Sequence, residues 1–175
     1  MSESFPPFRV LFSHDDILRR SHELVRELQQ SYCDERPCLI QVIQGARPFA
    51  ALIRAGLEGK LPLYDVRAKS YEGTQSTGEV KISMLAGLDA KAVENRDVVL
   101  LEDIVDTGRT IAALREHFMH LGARSVQVMS LLSKPSRRVV DVAVEYIGFE
   151  IPDEFVIGFG MDLDERYRDP PDIVG

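Results

Sequence analysis

Only two cysteines, Cys33 and Cys38, occur in 175 residues. That is too few for a disulfide framework, and their spacing is not the paired spacing of a zinc site. They read as reduced thiols of a cytosolic protein. Long apolar runs are also missing, and no stretch approaches the length of a membrane-spanning helix. The opening "MSESFPPFRV" carries acidic residues and prolines where a secretory leader needs a basic start and an apolar run, so no leader is expected. Positive charge is in deficit: 21 Lys and Arg stand against 28 Asp and Glu, a net charge of −7. Such a chain lacks the clustered cations that nucleic-acid binding by phosphate neutralisation requires, although a local basic pocket for a small anion stays open. Repeats, linkers and low-complexity segments are absent. So are two phosphate-binding signatures, G-x-x-x-x-G-K-[ST] and a G-x-G-x-x-G that opens a helix.

What is present is the composition of an ordinary globular protein, 45% apolar and 28% charged. The length fits one domain over 1–175, with room for a small annex. A helix is expected over "SHDDILRRSHELVRELQQ". Ser13 can cap it, Asp15 and Asp16 suit its positive end, and Ile17, Leu18, Ser21, Leu24, Val25 and Leu28 share one face. "CLIQVI", Cys38 to Ile43, reads as a buried strand, and Pro48 suits the first turn of a helix to about Ala55. Strands follow at Leu61 to Ala68 and Val80 to Met84, separated by a polar Gly-, Ser- and Thr-rich loop from Lys69 to Glu79. "VVLL" is the next strand, then a helix from about Arg109 to Leu121 stopped by Gly122, then a strand from Ser125 to Ser133. The remainder offers short strands and turns. This alternation predicts an α/β fold with a mainly parallel central sheet flanked by helices, whose ligands bind at the carboxyl ends of the strands.

Three of those strand ends are chemically unusual: Gln44-Gly45, Glu102 to Thr110, and Ser133-Lys134. The middle one carries most information. "VVLLEDIVDTGRT" runs from a buried strand into Glu102, Asp103 and Asp106, then into Thr107-Gly108-Arg109-Thr110 at a helix start. Unpaired N–H groups and the helix dipole make an anion site there, and Gly108 lets the backbone approach a ligand. The hydroxyls of Thr107 and Thr110 and the charge of Arg109 favour a terminal phosphate. Carboxylates beside a phosphate cradle make sense if the ligand also offers vicinal hydroxyls or a magnesium ion. Asp106 is then left as a general base. The bland alternative is an Asp-Thr helix cap. Two adjacent carboxylates at a buried strand end count against it, because they are costly without a ligand.

These residues resemble the phosphoribosyl pyrophosphate (PRPP) signature of type I phosphoribosyltransferases. "KSYEGTQSTGEVKI", "LLSKPSRR" and "YIGFEIPDEFVIGFGMDLDERYRD" narrow the resemblance to hypoxanthine-guanine phosphoribosyltransferases. It spans the chain from the N-terminal helix nearly to the C-terminus. The resemblance implies transfer of ribose 5-phosphate from PRPP to hypoxanthine or guanine, with magnesium and with release of pyrophosphate. It implies a type I fold with a small hood from about 1–20 and 145–175, and a homodimer or homotetramer in the cytoplasm.

By the same resemblance Glu102 and Asp103 hold the ribose hydroxyls and a metal, and Asp162 binds magnesium. Asp106 acts at the purine imidazole nitrogen, while Thr107, Gly108, Arg109 and Thr110 cradle the 5-phosphate. Gln44, Gly45 and Arg168 meet pyrophosphate, and Lys69, Ser70 and Tyr71 belong to a lid loop. Lys134 donates to the six-oxo group, Phe155 stacks on the base, and the backbone of Val156 reads its edge. A lysine only donates, so it favours a six-oxo over a six-amino purine, without separating hypoxanthine, guanine and xanthine. The chain departs from the family at Gln44-Gly45, where Lys-Gly is usual, often with a cis peptide; Arg47 is a candidate replacement for the missing charge.

Several of these residues have plainer readings. Lys134 alone would be a solvated loop lysine, Phe155 alone a core residue, and Asp162 part of a solvated acidic run with Asp164, Glu165 and Asp169. Tyr71, aromatic in a polar loop, has no core to join. His117 and His120 lie one helical turn apart without a third metal ligand, and His14 and His22 read as surface residues. Arg137 and Arg138 fit either a phosphate patch or a solvated pair. Two rival functions remain in view: a PRPP- or nucleotide-binding transcriptional regulator of the same fold, and a pyrimidine or adenine transferase. The lid loop, Asp106, Lys134 and the acidic charge count against the first; "SLLSKPSRR" and "IPDEFV" count against the second.

Overall fold

The computed structural model describes residues 8–32, 36–70, 79–162 and 168–175. Its elements, in chain order, are β1 (Val10–Phe12), α1 (His14–Ser31), β2 (Cys38–Val42), α2 (Arg47–Gly56), β3 (Leu63–Ser70), β4 (Val80–Met84), α3 (Ala90–Val93), β5 (Asp97–Val105), α4 (Arg109–His120), β6 (Ser125–Ser133), β7 (Tyr146–Glu150) and β8 (Ile173–Val174). Helix α1 begins as its sequence predicts. Ser13 accepts from Asp16 N–H while the Asp16 carboxylate accepts from Ser13 N–H, a reciprocal capping box. The apolar face of α1 buries Ile17, Leu24, Val25 and Leu28.

Six strands form one sheet in the order β4-β3-β2-β5-β6-β7. All neighbours are parallel except β3 and β4. Strand alternation divides the core into two layers. Leu39, Val99, Leu101 and Met129 face α1 and α2; Ile40, Val98, Leu100 and Val128 face α4. Helix α4 fills its side with Ile111, Leu114 and Phe118, all essentially inaccessible to solvent. A second, two-stranded antiparallel sheet pairs β1 with β8, bringing the two ends of the described chain together. Tyr146–Glu150, by contrast, completes the large sheet as its edge strand.

Two boundaries differ from the sequence reading in ways that matter for chemistry. Strand β5 does not stop at Leu101 but runs to Val105, because Ile104 and Val105 still pair with Leu132 and Ser133. Glu102 and Asp103 are therefore held in a strand rather than a loop. Strand β3 likewise extends past Ala68 to Ser70, since Lys69 and Ser70 pair with Lys81 and Val80. The short helix α3, capped by Asp89, has no periodicity to read in four residues. Cys38 is a buried free thiol, pushed up to about 11 by burial, while Cys33 lies outside the described residues. Among the described residues no helix is long and apolar enough to cross a membrane.

Candidate active site

The sheet order reverses between β2 and β5. From β2 the chain builds outward through β3 and β4, and from β5 it builds the other way through β6 and β7. A crevice opens beyond the carboxyl ends of the strands at such a point. Here it is a cavity of about 250 Å³ whose walls include Gly45 from the loop after β2, and Glu102, Asp103, Asp106, Thr107, Gly108 and Thr110 from β5 and the turn after it. One fold feature thus gathers two of the three strand ends singled out in the sequence.

Helix α4 starts without a side-chain cap, and Gly108 precedes it in the left-handed conformation with φ of +86°. Asp106 and Thr107 therefore do not serve as the ordinary cap that the bland reading required. Thr107 Oγ1 is 3.5 Å from Arg109 N–H, at the outer limit of a hydrogen bond. A Cβ on Gly108 would stand 2.7 Å from the carbonyl oxygen of Val140, so only glycine fits this turn. The bare helix start is an anion site bordering the cavity. Arg109 itself is exposed and is not part of the cavity wall.

Glu102 is 6% exposed, and among the described residues no cation pairs with it or with Asp103. Backbone N–H groups are their support: Asp103 N–H lies 3.3 Å from Glu102 Oε1, and Ile104 N–H lies 2.8 Å from Asp103 Oδ1. Burial, reinforced by the neighbouring Asp103, pushes the Glu102 carboxyl well above the usual carboxylate range. Burial also raises Asp103, against hydrogen bonds that pull it down, and Asp162 adds to the rise. Two adjacent shielded carboxylates without a counter-charge suit a hard divalent cation that brings its remaining ligands from elsewhere. Among the described residues no group of three or more His, Cys, Asp or Glu forms a complete metal cage, and His117 and His120 form none. Gly45 is tied to this pair by shape, since a Cβ there would stand 1.8 Å from Asp103 Oδ2.

On the other side of Asp106 a chain of charges leads toward β6 and β7. Arg137 Nε lies 3.1 Å from Asp106 Oδ1, Arg137 Nη1 lies 3.6 Å from Asp153 Oδ2, and Lys134 Nζ lies 4.0 Å from Asp153 Oδ1. Lys134 is 8% exposed, not the solvated lysine its sequence position alone would imply. Phe155 is 55% exposed, so its plain reading as a core residue fails, while Val156 is buried. Neither Lys134 nor Phe155 lines the 250 Å³ cavity. Arg138 joins the two strand ends. Its Nη1 donates to the carbonyls of Val105, Asp106 and Lys134, and its Nη2 donates to Ser133 Oγ 2.8 Å away. Arg138 is thus tied into the fold rather than solvated, while Arg137 stays exposed and pairs with Asp106.

A second cavity, of about 370 Å³, lies beside the first and is lined by Ile43, Gln44, Arg67, Ala68, Lys69 and Arg168. The Ile43–Gln44 peptide is cis. Arg168 donates to Gln44 Oε1, and its Nη2 is 3.1 Å from Asp162 Oδ1. Arg47 does not take the place of a charge at position 44: it pairs with Asp65 at 3.3 Å and is not part of this wall. Arg67 was not singled out from sequence. Its spacing of two from Lys69 on β3, which puts both on one face of the strand, was the available signal. Asp153 was also missed, and nothing local to its position marks it. Tyr71, Asp164 and Glu165 lie outside the described residues, and Ser70 closes β3.

A mainly parallel sheet with a bare helix start, buried acids and a basic annex at its switch point is an arrangement suited to phosphorylated small molecules. Residues 11–165 match the family model described as the phosphoribosyl transferase domain. A hypoxanthine-guanine phosphoribosyltransferase of Streptococcus thermophilus is 41% identical over 164 residues, covering 93% of this chain and 89% of the relative. One from Streptococcus mutans is 40% identical over the same shares. Among solved structures, a hypoxanthine-guanine phosphoribosyltransferase of Bacillus anthracis aligns with a TM-score of 0.87 and 32% identity, covering 95% of this chain and 97% of that one. A hypoxanthine phosphoribosyltransferase of Staphylococcus aureus gives 0.86 and 34%, covering 94% and 89%. The chain belongs to the hypoxanthine-guanine phosphoribosyltransferase family and is a transferase of purine salvage.

Proposed function

We propose that this protein transfers the 5-phosphoribosyl group of PRPP to hypoxanthine or guanine, giving IMP or GMP and pyrophosphate. The observation that carries the reading is the uncapped start of α4 in one cavity with Glu102, Asp103 and Asp106. Thr107, Gly108, Arg109 and Thr110 hold the 5-phosphate through backbone N–H groups and hydroxyls. Glu102 and Asp103 accept from the ribose hydroxyls and, with Asp162, are the residues that would hold magnesium. When bound, that ion neutralises charge on the pyrophosphate. Gln44 and Gly45, through their backbone, and Arg168, through its guanidinium, take the pyrophosphate end. Asp106 takes the proton at the purine imidazole nitrogen, Lys134 donates to the six-oxo group, Phe155 stacks on the base, and Val156 reads its edge through the backbone. A ribosyl centre with oxocarbenium character is stabilised by fixed charges around it and must be kept from water. The segment of Lys69, Ser70 and Tyr71 is assigned to the lid that excludes it.

The terminal β1–β8 sheet and the segments beside it are assigned to a hood over the purine in a single domain of 1–175; Tyr146–Glu150 and α1 are not part of it, because they belong to the large sheet and its covering layer. We also infer a cytoplasmic homodimer or homotetramer; light scattering returning a monomer at assay concentration would remove that assignment. The test of function is a spectrophotometric assay with PRPP and magnesium, offering hypoxanthine, guanine, xanthine and adenine separately, with Asp106→Asn alongside. Turnover of six-oxo purines but not adenine is expected, with a loss in the variant of about 10²–10⁴-fold. Absence of turnover with every base, despite PRPP binding, would overturn the reading in favour of a PRPP-binding regulator.

A further inference from the structure

Gln44 is exposed, yet its side chain accepts a hydrogen bond from a residue 124 positions away. The donor, Arg168, is held at both ends of its guanidinium: Nη1 by Gln44 Oε1 and Nη2 by Asp162 Oδ1. Its third donor, Nε, is buried and has no hydrogen-bond partner among the described residues. The 370 Å³ cavity that Gln44 and Arg168 share contains two further cations, Arg67 and Lys69, and, among the described residues, no carboxylate in its wall. Neither Arg67 nor Lys69 has an ion-pair partner among the described residues. Among the described residues of this wall, Arg168 is the cation that side-chain partners brace.

An amide is the side chain suited to this bracing. Its oxygen accepts from a guanidinium, whereas a lysine or arginine at position 44 has only donors and would repel Arg168. A carboxylate would accept but would also oppose an anion in the same cavity. We propose that Gln44 is a positioning residue, which orients Arg168 toward the pyrophosphate end of PRPP by accepting from its guanidinium. The proposal rests on reading this cavity as the pyrophosphate site of the transferase. Arg168 spans from the loop after β2 to the C-terminal segment, so fixing its guanidinium in advance lowers the ordering cost of binding.

The test measures binding of magnesium pyrophosphate to the full chain by calorimetry for wild type, Gln44→Met, Arg168→Gln and the double variant. Met keeps the length of Gln and removes the acceptor. Gln44→Met is expected to weaken pyrophosphate about tenfold, the scale of one charge-assisted hydrogen bond. The double variant is expected to bind no more weakly than Arg168→Gln alone, because the first change acts only through the second residue. The KM for hypoxanthine should not move, although a general loss of structure would move it. Unchanged affinity in Gln44→Met, additive losses in the double variant, or absence of pyrophosphate binding to wild type would each overturn the proposal. Turnover by wild type is scored separately. A working enzyme with additive losses refutes the role of Gln44 alone, and a non-additive cycle without turnover refutes the enzyme reading alone.

Discussion

Glu102 and Asp103 are neighbours in a buried strand end, without a cation partner among the described residues. Both carboxyls are pushed up, first by burial. A raised carboxyl binds its proton more tightly folded than unfolded. The unliganded protein therefore loses stability as pH rises from the ordinary carboxylate range toward the raised one, and carries the full penalty above it. The two groups titrate as a pair. Glu102→Gln should raise the unfolding temperature of the unliganded protein at neutral pH by a few degrees, since about 1 kcal/mol corresponds to about 2–4 °C at this size. The difference from wild type should vanish at acid pH. Magnesium and PRPP should then stabilise the variant less than wild type. Thermal melts at pH 4 and pH 8, with and without ligand, check this; a variant less stable than wild type at pH 8 would refute it.

At the level of elements, the turn into α4 concentrates the constraints. Gly108 combines a left-handed backbone with a missing Cβ that would press on Val140 O at 2.7 Å. Gly108→Ala should cost about 1–2 kcal/mol in backbone strain and weaken PRPP more than it weakens the purine. Comparable effects on both KM values would mean that the turn has no special tie to the phosphate. This turn was legible in the sequence because glycine, hydroxyls and a strand-to-helix change are all local signals. The extension of β5 through Glu102 and Asp103 was not legible, because charged residues end a hydrophobic pattern even where strand pairing continues. Nor was the link from Arg137 to Asp106, or from Gln44 to Arg168. Each joins residues 31 or 124 positions apart, and tertiary packing alone brings them together. Phe155 by itself reads as core, only its "IPDEFV" context points away from that, and its exposure shows only in the fold.

The whole molecule follows from where the sheet order reverses. Once β2 and β5 are neighbours, the loops after them must share one crevice; the alternation of strands and helices was enough to anticipate binding at the carboxyl ends of the strands, but not which strands adjoin. The terminal sheet was harder to foresee, since three residues in β1 and two in β8 carry no pattern of their own. It has a topological consequence. Arg9 and Gly175 exchange two backbone hydrogen bonds, of 3.0 and 3.1 Å, so the described chain returns almost to its own beginning. A short linker could join these two segments into a closed ring, and the ring could be reopened at the exposed turn after α2, where Glu58 and Gly59 adopt positive φ. Such a circular permutant should fold and keep the phosphate cradle, because the new break lies outside both cavities. Circular dichroism and PRPP binding would report it. A permutant that folds but no longer binds would mean that continuity of the chain through α2 itself holds the crevice in shape.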